Sequence, residues 1–220
     1  DITNGLVPTG TQYQWSAPTG ADIANGAAAS NQGDVRGTLT NNVNVQRTAT
    51  YIVTPTYGTC TGGTFTVTVY VNPTPFVAAI NQTICTGTSF AVTPAIGGSN
   101  IIPAGTLYGW GVPTPQVASV TGGVASSYSS TNVFGGPLYN PTNTQYYLQY
   151  AVIPATTLCV GSAFNVTVYI DPKPVVTPMS TTICNGVFTV TPTPGTNGVN
   201  GTVPVNTIYT WSLPASTASL

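Results

Sequence analysis

Thr11-Gln-Tyr-Gln-Trp15-Ser-Ala-Pro18 returns as Thr106-Leu-Tyr-Gly-Trp110-Gly-Val-Pro113 and again as Thr207-Ile-Tyr-Thr-Trp211-Ser-Leu-Pro214. The tryptophans stand 95 and 101 residues apart, and each follows a proline by seven residues: Pro8, Pro103 and Pro204. Self-similarity at a fixed period means an array of like units. A period near a hundred residues is ordinary domain size.

A second block repeats at an offset of 99. Gly37-Thr-Leu-Thr-Asn41-Asn-Val-Asn44-Val-Gln46 matches Gly136-Pro-Leu-Tyr-Asn140-Pro-Thr-Asn143-Thr-Gln145. Tyr51-Ile-Val-Thr-Pro55 matches Tyr150-Ala-Val-Ile-Pro154, and Val71-Asn-Pro73-Thr-Pro75 matches Ile170-Asp-Pro172-Lys-Pro174. Cys60 aligns with Cys159, and Cys85 with Cys184. The offset drifts through small insertions, between Trp110 and Gly136 and between Cys184 and Trp211, which read as loops.

The Pro-x-Pro pairs mark the boundaries, because proline presets extended backbone and leaves a ladder without a donor. Three units follow: a partial module over 1–72 that lacks its opening strands, a complete one over 76–171, and a partial one over 175–220 that lacks its closing strands. The first residues read as the interior of a module and not as a signal peptide, so the 220 residues are expected to be a window on a longer array.

Within a module the pattern is that of strands. Phe65, Val67, Val69 and Val71 alternate with Thr64, Thr66, Thr68 and Tyr70; Phe164, Val166, Val168 and Ile170 repeat the apolar set. Period two with one apolar face predicts a half-buried strand. Residues 48–57 and 145–154 predict the strand before it, joined through a turn around Cys60. Residues 76–84 and 89–93 predict the two opening strands, with Cys85-Thr-Gly87 as their turn. The Tyr-x-Trp pair lies on one face of a third strand. Residues 113–134 are rich in Ser, Gly and Val and predict one or two short edge strands. About seven strands with regular turn signals suit an all-β, immunoglobulin-like sandwich.

Charge is almost missing. The acids are Asp1, Asp22, Asp34 and Asp171; the bases are Arg36, Arg47 and Lys173; there is no Glu and no His. Charged residues make up 3% of the chain, against about 25% in a typical soluble domain. General acid–base catalysis needs placed pairs of His, Glu, Asp or Lys, so no catalytic residue is assigned and no enzyme is expected. A zinc site would need histidines or clustered cysteines, and nucleic-acid binding a basic footprint. No apolar run approaches the length of a membrane span. The chain is nonetheless 41% hydrophobic, enough to fold. About forty threonines supply β-branched side chains that favour strands.

The remaining candidates are few. Trp15, Trp110 and Trp211 are expected as core plugs, the usual place for a tryptophan on this strand of a sandwich. Tyr57, Tyr70, Tyr139, Tyr146 and Tyr147 are the better candidates for exposed aromatics, with cross-strand packing as the plainer reading. They repeat poorly, since Tyr57 aligns with Thr156 and Tyr139 with Thr40. Asp22 and Asp34 share a loop with Asn25 and Asn31, but the matching loop has no acid, so no calcium site is assigned and no cofactor is expected. An internal Lys–Asn isopeptide bond has only Lys173 to draw on, inside a linker. Asn81 and Asn165 open formal sequons, which matter only in a eukaryotic secretory setting.

Cys60, Cys85, Cys159 and Cys184 are disulfide candidates without the C-x-x-C spacing of a redox or metal motif. Three arrangements stand. Cys85 and Cys159 pair within the module, although standard topology puts their turns at opposite poles, a strand length of roughly 25–30 Å apart, against the ~7 Å a disulfide spans. Alternatively the first-turn cysteine of one module staples to the last-turn cysteine of the next, with all four partners outside these residues. Or the thiols are free.

The ordered string runs Thr-Ile-Cys-x-Gly, Phe-x-Val-Thr-Pro, Tyr-x-Trp, Tyr-x-Val-x-Pro, Cys, Phe-x-Val-x-Val and Asn-Pro-x-Pro. It resembles the PKD-like/Ig-like repeats of giant cell-surface adhesins of Bacteroidota, including SprB-type gliding adhesins exported by type IX secretion. The resemblance covers essentially the whole chain. It implies an extracellular stalk of tandem sandwiches that attaches the cell to surfaces and serves gliding motility, with neighbouring modules as its partners. Two other readings are a carbohydrate-binding array that meets surface polysaccharide and a fimbrial or sheath subunit that associates laterally.

Few groups titrate between about pH 5 and 9, and exposed charge pairs that salt could screen are scarce. The thermal midpoint is expected to stay within several degrees across that range and from low to high salt, as read by circular dichroism.

Overall fold

The computed structural model describes residues 5–184, 186–197 and 201–212. Every regular element among them is a strand. Repeat 1 holds β1 (Gln12–Trp15), β2 (Ile23–Ala24), β3 (Ala29–Gln32), β4 (Thr40–Asn41), β5 (Arg47–Tyr57), β6 (Cys60–Thr61) and β7 (Phe65–Val71). Repeat 2 holds β8 (Ile80–Cys85), β9 (Thr88–Val92), β10 (Leu107–Trp110), β11 (Thr114–Pro115), β12 (Ser126–Ser130), β13 (Val133–Leu138), β14 (Tyr146–Ala155) and β15 (Phe164–Asp171). Beyond them lie β16 (Val175–Val176), β17 (Gly195–Asn197) and β18 (Gly201–Val203).

Repeat 2 is an immunoglobulin-like sandwich. Its larger sheet runs β12-β10-β14-β15-β8, with β11 added to β14; its smaller sheet pairs β13 with β9. All pairs are antiparallel except β15 with β8, which run parallel with Val166 opposite Ile80 and Asp171 opposite Cys85. The alternation read from the sequence faces the core: Phe164 is 6% exposed, and Val166, Val168 and Ile170 are fully buried. Each such side chain contributes about 1.5–3 kcal/mol by leaving water. Val77, Phe90, Tyr108, Trp110, Leu138 and Tyr150 belong to the same core. A separate core in repeat 1 gathers Trp15, Ala49, Tyr51 and Val53.

The recurring Pro…Thr spacing has a structural cause. In all three repeats the threonine closes a turn onto the proline carbonyl through its backbone N–H, at 3.1, 3.1 and 3.2 Å for Thr11, Thr106 and Thr207. Their hydroxyls donate to the same oxygens at 2.8, 2.7 and 2.6 Å. The third turn position has positive φ in each, at Gly10, Gly105 and Asn206. This is a type II turn, with the glycine or asparagine its left-handed third position requires. It aims the Tyr-x-Trp strand into the core four residues later.

A buried asparagine recurs in the same way. Asn140 Nδ2 donates to the carbonyls of Thr144 and Ile170 at 2.7 and 2.8 Å. Asn41 donates to those of Val45 and Val71 at 2.9 and 2.8 Å. Each ties the loop before the long strand to the end of the last one. Neutral amides thus do cross-linking that charged pairs do elsewhere, without the desolvation a buried ion suffers.

Three sequence readings change. The opening strand begins at Ile80 and not at residue 76, because Phe76 instead exchanges both backbone hydrogen bonds with Ile101, each 2.8 Å. Strand β13 was not foreseen as such, its Val-Phe-Gly-Gly-Pro-Leu sequence being poor in strand formers. Packing also resets the alignment there. A side chain at Gly37 would lie 3.5 Å from the Tyr51 hydroxyl, and one at Gly135 3.2 Å from that of Tyr150. Gly37 therefore takes the place of Gly135, not of Gly136.

Tyr108 and Tyr150 bury hydroxyls that meet no hydrogen-bond partner among the described residues. Burial pushes the Tyr150 hydroxyl up to about 12 and raises that of Tyr108, since a buried phenolate loses its hydration. Unfolded tyrosine ionises at about pH 10. The unfolded chain therefore sheds protons first, and folding loses stability as pH climbs from about 10 to about 12. Tyr150→Phe is expected to shrink that alkaline loss and to leave stability at neutral pH unchanged or raised by up to about 1 kcal/mol, measured by denaturant titration across a pH series.

Candidate functional site

Reactive side chains are not brought together. Among the described residues no three of His, Cys, Asp and Glu cluster as metal ligands do. The two loop acids each take an arginine: Asp22 meets Arg47 at 2.6 Å and Asp34 meets Arg36 at 3.2 Å. The Asp34–Arg36 pair is exposed and contributes at most about 1 kcal/mol; Arg47 is half-buried, with its Nε unpartnered among the described residues.

Trp15 and Trp110 are the core plugs expected, with indole N–H groups donating to Ala27 and Val124 carbonyls at 3.0 Å each. Trp211 departs from that expectation and is 87% exposed. The strands that flank the first two, with Val53 opposite Trp15 and Val152 opposite Trp110, have no counterpart beside Trp211 among the described residues. Tyr57, Tyr70 and Tyr139 are exposed. Tyr146 packs against the core of repeat 2, and Tyr147 stacks edge-on with its cross-strand neighbour Tyr169, ring centres 5.8 Å apart.

No disulfide joins Cys60, Cys85, Cys159 and Cys184 to one another. The fold also separates Cys85 from Cys159. Cys85 lies opposite Asp171 at the end of β15, whereas Cys159 precedes its start. The eight residues of β15 hold them about 23 Å apart, so the pairing within the module is corrected: it does not fit this topology.

What the chain does build is the joint between repeats 1 and 2. Pro75 is fully buried and Pro73 is buried with it. Gly161 receives the linker so closely that a Cβ there would stand 2.0 Å from the Pro75 carbonyl oxygen and 2.9 Å from the Pro154 ring. Its own N–H bonds to the Pro154 carbonyl at 2.8 Å. Beside this seat, Phe76 and Ile101 form their two-bond bridge, and Asn100 Oδ1 accepts from Ala78 N–H at 2.8 Å. Asn44 of repeat 1 then reaches across, its Oδ1 accepting from the backbone N–H of Ile102 in repeat 2. The stiffness expected of Pro-x-Pro is thus reinforced by a glycine seat and a side-chain tether. Spacing alone flagged the prolines; only coordinates show that Gly161 and Asn44 serve them.

The matching pole of repeat 1 carries a cleft of about 1050 Å³ lined by Pro8, Tyr13, Pro55, Gly62 and Phe65 among others. These are the counterparts of Pro103, Tyr108, Pro154, Gly161 and Phe164. Gly62 N–H donates to the Pro55 carbonyl at 2.9 Å, as Gly161 does to that of Pro154 at 2.8 Å.

Comparison with known families gives one finding. The family model described as PKD-like domain matches residues 1–75 and 82–174, most of the chain and both sides of the joint. No curated protein matches the chain.

Gly161→Ala is expected to push the linker from its seat and destabilise repeat 2 by about 1–3 kcal/mol. Gly63→Ala, where a Cβ meets nothing within 4 Å, is the near-neutral control. Calorimetry of the two variants checks both outcomes.

Proposed function

Since the chain belongs to the PKD-like domain family, we propose that it is a structural segment of an extracellular filament in which tandem sandwiches are coupled end to end to attach a cell to surfaces. The joint carries this reading. A linker seated against Gly161, with Asn44 tethering the next repeat, is how a chain holds two domains in a fixed direction rather than on a slack string. The neutral, hydroxyl-rich faces fit the same role, since strands solvated by threonine and serine have few groups for salt or pH to perturb.

The finer reading is a surface adhesin of the gliding type, displayed outside the cell by a dedicated export route. It rests on the order of short motifs in the sequence. Neighbouring repeats are its first partners.

Each repeat adds roughly 30–40 Å along the axis. Small-angle scattering of the chain is expected to give an elongated particle whose maximum dimension falls when Asn44→Ala and Gly161→Ala are combined. Beads coated with the chain are expected to stay on glass under flow longer than beads coated with unfolded protein. A compact particle together with equal bead release would overturn the proposal.

A further inference from the structure

The outward face of the larger sheet in repeat 2 carries side chains that neither the core nor the joint uses. Tyr108 and Trp110 point into the core, so Gly109 between them faces out. A Cβ built there would stand 3.2 Å from three atoms of the Tyr128 ring at once. The ring therefore lies face-down on the glycine, which is buried beneath it. Its other face is open, since Tyr128 is 45% exposed.

The pairing register carries this face across to a second aromatic group. Gly109 stands opposite Ile153. Farther along β14, Ala151 pairs with Asn165, Gln149 with Thr167 and Tyr147 with Tyr169. On β8, Asn81 lies beside Thr167 and Thr83 beside Tyr169. The alternate residues of β14 and β15 fill the core, so these share the outer face. Asn81, Thr83 and Asn165 are exposed, and the Gln149 amide donates to the Thr167 hydroxyl at 3.4 Å. From Ile153 to Tyr147 the strand runs about 20 Å. No charged residue stands between the two aromatic ends; Asp171 lies beyond Tyr169, where the Gln145 amide donates to it at 2.6 Å. Repeat 1 lacks the same surface, with Gln14 in the place of Gly109 and Thr48 in that of Tyr147.

We propose that this face of repeat 2 binds an extended, uncharged polysaccharide, with one sugar ring stacked on Tyr128 and others running over the amides toward Tyr169. A pyranose offers what the surface takes: apolar C–H faces for the open ring, and hydroxyls that donate and accept as the amides of Gln149, Asn165 and Asn81 do. A nucleic-acid strand also stacks on rings but needs cations for its phosphates, and this face has none. A protein partner calls for an apolar centre, whereas the centre here is Gln149, Thr167 and Asn81. The site stands apart from the filament reading: bare glass carries no sugar, so bead retention and sugar binding fail independently.

Titration calorimetry of the full chain with cellohexaose, mannohexaose and xylohexaose is expected to show saturable binding of at least one, changed little by salt. Tyr128→Ala and Tyr169→Ala should each weaken it at least tenfold with the thermal midpoint unchanged. Tyr128→Phe, which keeps the ring, should bind within about twofold of the parent. Tyr57→Ala, at an exposed ring of repeat 1, should bind as the parent does. Should Tyr128→Ala lower the midpoint, Tyr169→Ala makes the same test at the other end of the face. Silence with all three hexamers would leave the face to a protein partner and overturn the proposal. So would binding that survives both alanine variants, or equal binding of a galacturonate hexamer, whose carboxylates this neutral face does not match.

Discussion

The structure depends on one contact: the first strand of a repeat laid parallel against the last. Strand β15 has β14 on one side and β8 on the other, and only under both do Val166, Val168 and Ile170 leave water completely. With 3% charged residues, the fold has almost no ion pairs to lean on, so apolar burial and the hydrogen-bond ladder carry it. Repeat 1 shows the other side of the same rule. Its β5–β7 ladder forms over seven residue pairs, yet its apolar face stays half open without the strand that closes it.

Polar side chains work as neutral fasteners around this contact. Asn41 and Asn140 each gather two carbonyls from separate segments. Thr11, Thr106 and Thr207 close the turns that launch the tryptophan strands. Their strength is modest singly, about 0.5–1.5 kcal/mol for a typical bond. Their recurrence at fixed places makes each repeat fold to the same register without charge.

Much of the fold was legible because period-two alternation and a hundred-residue repeat are strong signals. The apolar faces of β7 and β15, the Tyr-x-Trp strand and the proline linkers stand where the residues place them. Strand β13 was not, since Gly135, Gly136 and Pro137 carry loop chemistry and become a strand only through pairing with β9. Trp211 shows the limit of motif reasoning: a core residue is buried by its neighbours, and its motif alone supplies none. The joint was half legible. Prolines announce a linker, but the need for Gly161 arises from a carbonyl 86 residues earlier in the chain, and no local pattern encodes that distance.

The parallel pairing of β8 and β15 also fixes how a repeat answers tension. The chain enters through β8 at one pole and leaves through β15 at the other, side by side and running the same way. Pulling on the two ends drags these strands past each other lengthwise. The ladder between them, six register pairs long, is then loaded in shear, and its bonds must fail together rather than unzip one at a time. A sandwich stitched this way resists stretching along its own axis better than its modest polar bonds suggest.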